Sequence, residues 1–312
     1  MSQPRVAGLS AVVPVYNSAD SLGELVTRLE PVLRESAHAF EAVLVNDGSR
    51  DNSWRVMTAL TARHPWIRSI DLARNCGQHN ALLCGIRAAR YGIAVTLDDD
   101  LQNPPEEIPA LLAALRDDVD VVYGAPREEV HGLWRNLASQ VAKIVLQGAL
   151  GAETARMVGP FRLFRTDVRR AFDEYRGTFV NIDVLLTWGT TRFTAIRVRH
   201  DPRRVGQSNY RFRELLTHSL NMLTGFSTLP LQLASMVGLI LTMAGGALLV
   251  YVLGRRFFGG VAVPGFTFLA SVIIVFAGAQ LMTLGIIGEY LARMHFRLLD
   301  RLPYVVREHH DA

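Results

Sequence analysis

The chain has 312 residues, a formal net charge of +4 at pH 7, and a hydrophobic content of 49%. This length accommodates one large α/β domain and a smaller unit. A nucleic-acid-binding function is disfavoured, because the basic residues lie beside apolar segments and form no separate basic domain. The two cysteines, Cys76 and Cys84, have no metal-ligand spacing and are predicted to be free thiols in a reducing compartment.

Strand and helix patterns alternate along the first part of the chain. The predicted strands are 9–15, 40–45, 67–72, 93–97 and 119–123, and the predicted helices are 21–33, 53–63, 78–90 and 105–116. Short apolar strands separated by helices are typical of a parallel sheet covered on both faces. Ligands of such sheets bind beyond the carboxyl ends of the strands. A helix over 133–150 and a strand over 194–198 are also expected.

Two long apolar runs occupy the last third of the chain. Residues 231–253 and 266–287 contain no charged side chain. Each run exceeds the roughly 20 residues that a helix needs to cross a bilayer. A buried core helix can be equally apolar, but two runs with a short connection favour a membrane hairpin.

Arginines are concentrated outside this hairpin and predict its orientation. The sequence has Arg203, Arg204, Arg211 and Arg213 before the first run, Arg255 and Arg256 in the connection, and Arg293, Arg297, Arg301 and Arg307 after the second run. This distribution predicts a multi-pass protein of the cytoplasmic membrane with both termini in the cytoplasm. Residues 210–226 have apolar positions at helical spacing, which predicts a helix in the membrane interface or, alternatively, an ordinary surface helix.

Three adjacent carboxylates, Asp98 to Asp100, follow the fourth predicted strand. In an extended chain Asp98 and Asp100 face the same way, so both are able to bind one Mg²⁺ or Mn²⁺, with Gln102 adding a carbonyl oxygen. The alternative interpretation is a solvated acidic turn that caps the helix beginning near Pro105.

A turn at residues 46–53 follows the second predicted strand. Gly48 permits a tight turn, and Asn52 or Ser53 is suited to cap the next helix. Asp47 is predicted to accept hydrogen bonds from a base or a ribose. Taken alone, a turn of this composition favours a purely structural role.

Four segments occur in the order and spacing of family 2 glycosyltransferases: Val13-Pro14-Val15-Tyr16-Asn17, the turn 46–53, residues 75–80 and residues 98–107. The chain resembles in particular the polyprenyl-phosphate glycosyltransferases, including dolichol-phosphate mannose synthases and bacterial enzymes that load sugars onto undecaprenyl phosphate. Further similar segments, at 161–163, 204–210, 288–290 and 301–304, extend the resemblance over nearly the whole chain.

The resemblance implies an α/β domain of the GT-A type, with a Rossmann-like, mostly parallel sheet, followed by a two-helix transmembrane hairpin. We therefore expect a catalytic domain over 1–205, an amphipathic interfacial connector over 206–228, two transmembrane helices over 229–291 and a cytoplasmic tail over 292–312. Self-association through the membrane region is also implied.

The resemblance also implies roles for individual residues. Pro14, Tyr16 and Asp47 would line the nucleotide pocket, Asp98, Asp100 and Gln102 the metal site, and Arg127 and Arg204 the phosphates. Asp98, Asp100, Asp183 and Arg204 are the expected catalytic residues. The remaining expected substrate contacts are Asn17, Gly77, Asp99, Arg162, Arg203 and Ser208.

Two positions depart from the broader family pattern. Many relatives have an Asp in the segment where this chain has Met157, and many have a Lys where it has Asn209. Asp183 is a candidate substitute acid or, alternatively, a helix N-cap. The chemistry tolerates such changes, because a phosphate monoester with a second pKa of about 6 is a ready nucleophile at neutral pH.

The expected reaction is metal-dependent, inverting transfer of a sugar from a nucleotide diphosphate sugar, with a UDP-sugar as the first choice, to polyprenyl phosphate. The product would serve cell-envelope glycan or lipid modification. A polysaccharide synthase is an alternative, although the chain lacks a Gln-x-x-Arg-Trp element and the spans of a channel. A catalytically weakened membrane partner that binds nucleotide sugar is the other alternative.

Overall fold

A computed structural model describes residues 5–126, 157–177, 180–201, 265–298 and 302–311, together with positions 231, 234–241, 243–245, 247 and 250. The chain divides into two compact units. The first comprises Met1–Leu215 and Asp300–Ala312, and the second comprises Leu216–Leu299. The predicted helices at 133–150 and 210–226 lie outside the described residues.

The first unit is built on an eight-stranded sheet. Its strands are β1 (Val6–Val15), β2 (Ala37–Asn46), β3 (Ile67–Leu72), β4 (Ile93–Thr96), β5 (Val121–Pro126), β6 (Arg162–Arg165), β7 (Phe193–Val198) and β8 (Val306–His310). They are ordered β7-β5-β6-β4-β1-β2-β3-β8. Strand β6 is antiparallel to β4 and β5, β8 is antiparallel to β3, and the other pairs are parallel. The predicted mostly parallel sheet is confirmed.

Helices connect the parallel strands and cover both faces of the sheet. They are α1 (Leu22–Ser36), α2 (Ser53–Arg63), α3 (Gln78–Ala88), α4 (Ile108–Ala114) and α5 (Ile182–Gly189), with 3₁₀ turns at Pro105–Glu107 and Thr166–Ala171. Side chains of α1, α2 and α4 join one hydrophobic core, and those of α3 and α5 join the other. Strand β1 contributes Val13 to the first core and Val12 to the second, which explains its continuous apolar sequence.

Two strands were not predicted. Strand β6 has only four residues, and both of its ends are arginines, so it has no recognisable strand pattern. Strand β8 is exposed along its whole length and has no alternation of apolar and polar residues. Both are stabilised by pairing with strands that are distant in sequence, which a local pattern does not reveal.

The second unit contains helix α6 (Phe266–Leu298) and helical positions between 231 and 250. A side-chain carbon at Gly245 would approach Cζ of Phe276 to 3.2 Å, so the two helical stretches pack closely there. Large apolar side chains of α6 are exposed, among them Leu269, Ile273, Leu281, Met282, Leu284 and Leu291. Over the described residues, no helix combines the length and the apolarity that crossing a membrane requires.

Helix α3 lies directly on the sheet at Gly85. A Cβ atom there would lie 2.4 Å from Cγ1 of Val12 and 3.1 Å from Cγ2 of Val45. We expect Gly85→Ala to destabilise the first unit by about 1–3 kcal/mol through overpacking. Gly23→Ala is the matched control, because nothing lies within 4 Å of its added methyl group. Thermal unfolding of the purified variants measures the difference in their stability. Equal stability of Gly85→Ala and Gly23→Ala would contradict the close packing of α3 on the sheet.

Candidate active site

The loops that follow β1, β2 and β4 meet at one edge of the sheet. These three strands are neighbours in the order β4-β1-β2, and they are parallel. The backbone N–H of Tyr16, after β1, donates to Oδ2 of Asp99, after β4, at 3.1 Å. Tyr16, which was predicted to line the nucleotide pocket, is therefore in direct contact with the predicted acidic motif, and its side chain is exposed.

Asn17 joins the loop after β1 to the turn after β2. Its N–H donates to Oγ of Ser49 at 3.0 Å, and its Oδ1 accepts from the N–H of Arg50 at 2.8 Å. Its φ of 53° is a left-handed conformation, in which Asn is favoured over most other residues. Asn17 thus has a structural task in holding the two loops together. Pro14, further back, lies within β1 opposite Val45.

Asp47 binds the loop that precedes α3. Its Oδ1 accepts from the N–H of Cys76 at 2.6 Å, and its Oδ2 accepts from the N–H of Gly77 at 2.9 Å. Burial raises the pKa of the Asp47 carboxyl, and these two hydrogen bonds act in the opposite direction. Because a carboxylate offers about four acceptor sites, capacity remains for a ligand donor.

Gly48 brings the same turn against the same loop. A Cβ atom at Gly48 would lie 2.5 Å from the backbone nitrogen of Asn75, and the φ of Gly48 is +63°. Only glycine satisfies both the conformation and the close approach. Gly77 also has a positive φ, of 93°, at the N-terminus of α3. Asn52 occupies the N-cap position of α2, as predicted, but its side chain makes no capping hydrogen bond.

The acidic motif forms a turn. Strand β4 ends at Thr96, and Leu101 has a φ of +61°, so the predicted extended conformation of Asp98 to Asp100 is wrong. Oδ1 of Asp98 accepts from Nε2 of Gln78 at 2.6 Å, and Oδ1 of Asp100 accepts from the N–H of Gln102 at 3.1 Å.

The alternative interpretation of the acidic motif, that it caps the helix beginning near Pro105, is also wrong. The helical turn at Pro105–Glu107 has no side-chain cap. Asp99 instead faces the loop after β1. Burial raises the pKa of Asp99, while hydrogen bonds from Ser18 and Tyr16 lower it.

Asp183 lies in a buried ionic network. Its Oδ1 lies 2.9 Å from Nη1 of Arg162 and accepts from the hydroxyl of Tyr123 at 3.1 Å. Burial raises the pKa of Asp183, and the charge of Arg162 lowers it. The N-cap of α5 is Asn181, whose Oδ1 accepts from the N–H of Val184, so the capping alternative for Asp183 is wrong.

Several contacts of the site involve residues that sequence analysis did not single out. Besides Gln78, these are Asn46 and Asp71, whose side chains are buried and joined by a hydrogen bond of 2.6 Å. His79 accepts from the N–H of Ile182 at 3.3 Å and so links α3 to α5. Asn46 and Gln78 lie within the motif segments 46–53 and 75–80, and this is the sequence signal that marks them.

The remaining predicted residues are not placed by the structure. Arg127, Arg203, Arg204, Ser208 and Asn209 lie outside the described residues. Within the described part of the chain, no group of three or more His, Cys, Asp and Glu side chains has a metal-binding arrangement. The roles of Asp98, Asp100 and Gln102 in metal binding stay predictions.

The sequence of this site matches a known family. Residues 10–172 match the family described as glycosyl transferase family 2. An undecaprenyl-phosphate 4-deoxy-4-formamido-L-arabinose transferase of Pseudomonas aeruginosa (strain LESB58) is 38% identical over 293 residues, which cover 92% of this chain and 86% of that protein. A protein of the same name from Proteus mirabilis (strain HI4320) is 32% identical over 307 residues, covering 97% and 94%. The chain belongs to glycosyl transferase family 2.

This glycosyltransferase has a GT-A-like fold. Glucosyl-3-phosphoglycerate synthase from Mycobacterium tuberculosis, in complex with Mn²⁺, UDP and glucosyl-3-phosphoglycerate, matches it with a TM-score of 0.52 at 17% identity. The match covers 70% of this chain and 78% of the synthase. The family match spans the sheet from β1 to β6, and so includes Asp47, Asp98 to Asp100 and Arg162.

The Arg162–Asp183 pair generates a pH-dependent prediction. In Arg162→Met the Asp183 carboxyl stays buried without its cation, which costs roughly 3–5 kcal/mol when it is ionised. Burial already raises the pKa of Asp183, and loss of the Arg162 cation raises it further above that of the unfolded chain. The loss of stability is therefore small below about pH 4 and grows as the pH rises. Thermal unfolding at several pH values measures it. Adding Asp183→Asn to Arg162→Met should remove the pH dependence of the stability loss. A stability loss that is the same at every pH would contradict the conclusion that Arg162 neutralises the buried Asp183 carboxylate.

Proposed function

We propose that this glycosyltransferase transfers a sugar from a nucleotide diphosphate sugar to polyprenyl phosphate, with inversion at the anomeric carbon, for cell-envelope modification. The observation that carries the proposal is the similarity to two proteins named undecaprenyl-phosphate 4-deoxy-4-formamido-L-arabinose transferase over more than nine tenths of the chain. The position of the candidate site, at the carboxyl ends of parallel strands, agrees with this reaction.

The donor binds, in this proposal, where the loops after β1 and β2 meet. Asp47 keeps acceptor capacity beyond its bonds to Cys76 and Gly77, which suits the N–H of a base or a ribose hydroxyl. The exposed Tyr16 ring provides a surface for stacking on the base. UDP is the first choice of nucleotide, as it is bound by the structurally similar synthase.

A divalent cation, Mg²⁺ or Mn²⁺, is proposed at the loop after β4. Asp98, Asp100 and Gln102 supply oxygen ligands, which fit a hard cation whose remaining ligands are phosphates and water. When bound, such an ion neutralises the charge that develops on the leaving diphosphate. Gln78 holds the Asp98 carboxylate at 2.6 Å and so limits its rotation.

The acceptor phosphate provides its own nucleophile. One of its oxygens attacks the anomeric carbon, a new C–O bond forms, and the C–O bond to the diphosphate breaks with its electron pair leaving on the nucleoside diphosphate. With a second pKa of about 6 the phosphate is largely dianionic at neutral pH. No proton has to be removed, which is why Met157 is compatible with turnover. We assign Arg127, Arg162, Arg203, Arg204 and Ser208 to the phosphates and Asp183 to the support of Arg162.

The lipid acceptor also requires a membrane location. We propose that residues 229–291 form two transmembrane helices, that 206–228 lie in the interface, and that the catalytic domain and both termini are cytoplasmic. The exposed apolar side chains of α6, such as Leu269, Ile273 and Leu284, support this placement because their exposure to water is unfavourable. Self-association of the membrane region is part of the same proposal.

A transfer assay tests the proposed reaction. Detergent-purified protein is incubated with undecaprenyl phosphate, Mn²⁺ or Mg²⁺, and radiolabelled UDP- and GDP-sugars, including UDP-4-deoxy-4-formamido-L-arabinose. We expect label from one donor to enter the organic phase, and we expect Asp98→Ala/Asp100→Ala to lower the rate at least about 100-fold, since charge stabilisation of this kind contributes several kcal/mol.

The matched control is Asp117→Ala/Asp118→Ala, which also removes two carboxylates. Both are exposed and follow α4 in the sequence, whereas the acidic motif precedes it. The rate of this control should equal that of the unchanged protein. Transfer that persists without Asp98 and Asp100, or a failure of every donor to label the lipid, would contradict the proposal.

A further inference from the structure

The C-terminal segment, residues 302–311, packs against the catalytic sheet next to the donor loops. Its strand β8 pairs with β3, with Asp71 opposite Glu308 and Leu72 opposite Val306. The carbonyl of Val305 accepts from the N–H of Ala73 at 2.8 Å. The segment therefore reaches the carboxyl end of β3, beside the turn and the loop that Asp47 joins.

Arg307 is the residue of this segment whose side chain contacts both β3 and the loop that follows it. Its Nη1 lies 3.3 Å from Oδ2 of Asp71, and its Nη2 donates to the carbonyl of Ala73 at 2.6 Å. Ala73 lies at the start of the loop whose N–H groups, at Cys76 and Gly77, bind Asp47. One guanidinium thus fixes the beginning of the loop that Asp47 fixes at its end.

The second contact of Arg307 leads to the turn after β2. The Asp71 carboxylate is buried, and its other oxygen accepts from Nδ2 of Asn46 at 2.6 Å. Oδ1 of Asn46 in turn accepts from the N–H of Ser49 at 3.2 Å. Asp47 and Gly48 lie between these two residues. Arg307 is therefore connected to the Asp47 turn through a chain of two buried side chains.

Attachment of β8 does not depend on Arg307. At the far end of the segment, Asp311 pairs with Arg68 at 2.7 Å and with Arg90 at 3.1 Å, and the His310 ring packs on Trp54. The ladder with β3 adds backbone hydrogen bonds. Other contacts therefore keep β8 on the sheet, and the side chain of Arg307 contacts β3 and the loop after it.

We infer that Arg307 is a positioning residue for the nucleotide of the donor, acting through Asp71, Asn46 and the Ala73 carbonyl; this inference rests on the proposed function. Without Arg307 the buried Asp71 loses its ion pair, and the 73–77 loop loses the hydrogen bond to its first residue, Ala73. The nucleotide then has to order this loop when it binds, so affinity falls. The reacting groups are untouched, and the maximal rate stays unchanged.

The test compares Arg307→Ala with Arg90→Ala in the full-length, detergent-purified protein. Both arginines are more than half exposed and each pairs with an Asp, but the described polar contact of the Arg90 side chain is with Asp311, at the far end of the segment. Calorimetric titration with UDP, and with GDP in parallel, gives the dissociation constant. We expect a rise of roughly three- to tenfold for Arg307→Ala, corresponding to one or two lost hydrogen bonds, and none for Arg90→Ala.

Hydrogen exchange provides a readout that is independent of catalysis. The amides of Cys76 and Gly77 should exchange faster in Arg307→Ala than in Arg90→Ala, and Arg307→Lys should recover part of the protection by retaining one donor and the charge. Equal nucleotide affinity and equal exchange in the two alanine variants would overturn the inference. A wild-type protein that binds neither nucleotide would instead contradict the proposed function, while the exchange difference would still test the positioning role of Arg307.

Discussion

The candidate site depends on one interaction, the paired hydrogen bonds from the Cys76 and Gly77 amides to the buried Asp47 carboxylate. An ionised carboxylate is costly to bury, and backbone N–H groups are among the few partners that offset this cost without adding a charge. By accepting both, Asp47 joins the end of β2 to the beginning of α3. Gly48 lets the backbones approach closely enough for these bonds to form.

Two hydrogen bonds connect the acidic motif to neighbouring parts of the site. Asp99 accepts from the backbone of Tyr16, and Asp98 accepts from Gln78, the first residue of the helix that Asp47 organises. The loops after β1, β2, β3 and β4 therefore form one hydrogen-bonded assembly in which each loop limits the freedom of the others. A site of this kind is already ordered before its ligands arrive, which reduces the entropic cost of binding them.

Sequence patterns predicted the elements whose bounds are set by buried residues. They failed for conformations and contacts that depend on residues distant in the sequence. Strand β3 begins at Ile67 and ends at Leu72 as predicted, because six consecutive buried residues leave little freedom in its bounds. Asp98 to Asp100 were predicted to be extended after β4 but form a turn, since nothing local reveals that Leu101 adopts a left-handed conformation. The links from Gln78 to Asp98 and from Arg307 to Asp71 join residues 20 and 236 positions apart, so only the folded chain creates them.

We propose that the loops after β2 and β4 bind one nucleotide sugar together with a cation. Calorimetric titration of the donor nucleotide with and without Mn²⁺ tests it most directly, in the wild type, Asp47→Asn and Asp98→Ala/Asp100→Ala. We expect Mn²⁺ to tighten binding in the wild type, loss of Asp98 and Asp100 to remove the Mn²⁺ effect, and Asp47→Asn to weaken binding in both conditions. Affinity that is unchanged by Mn²⁺ and by all three substitutions would contradict it.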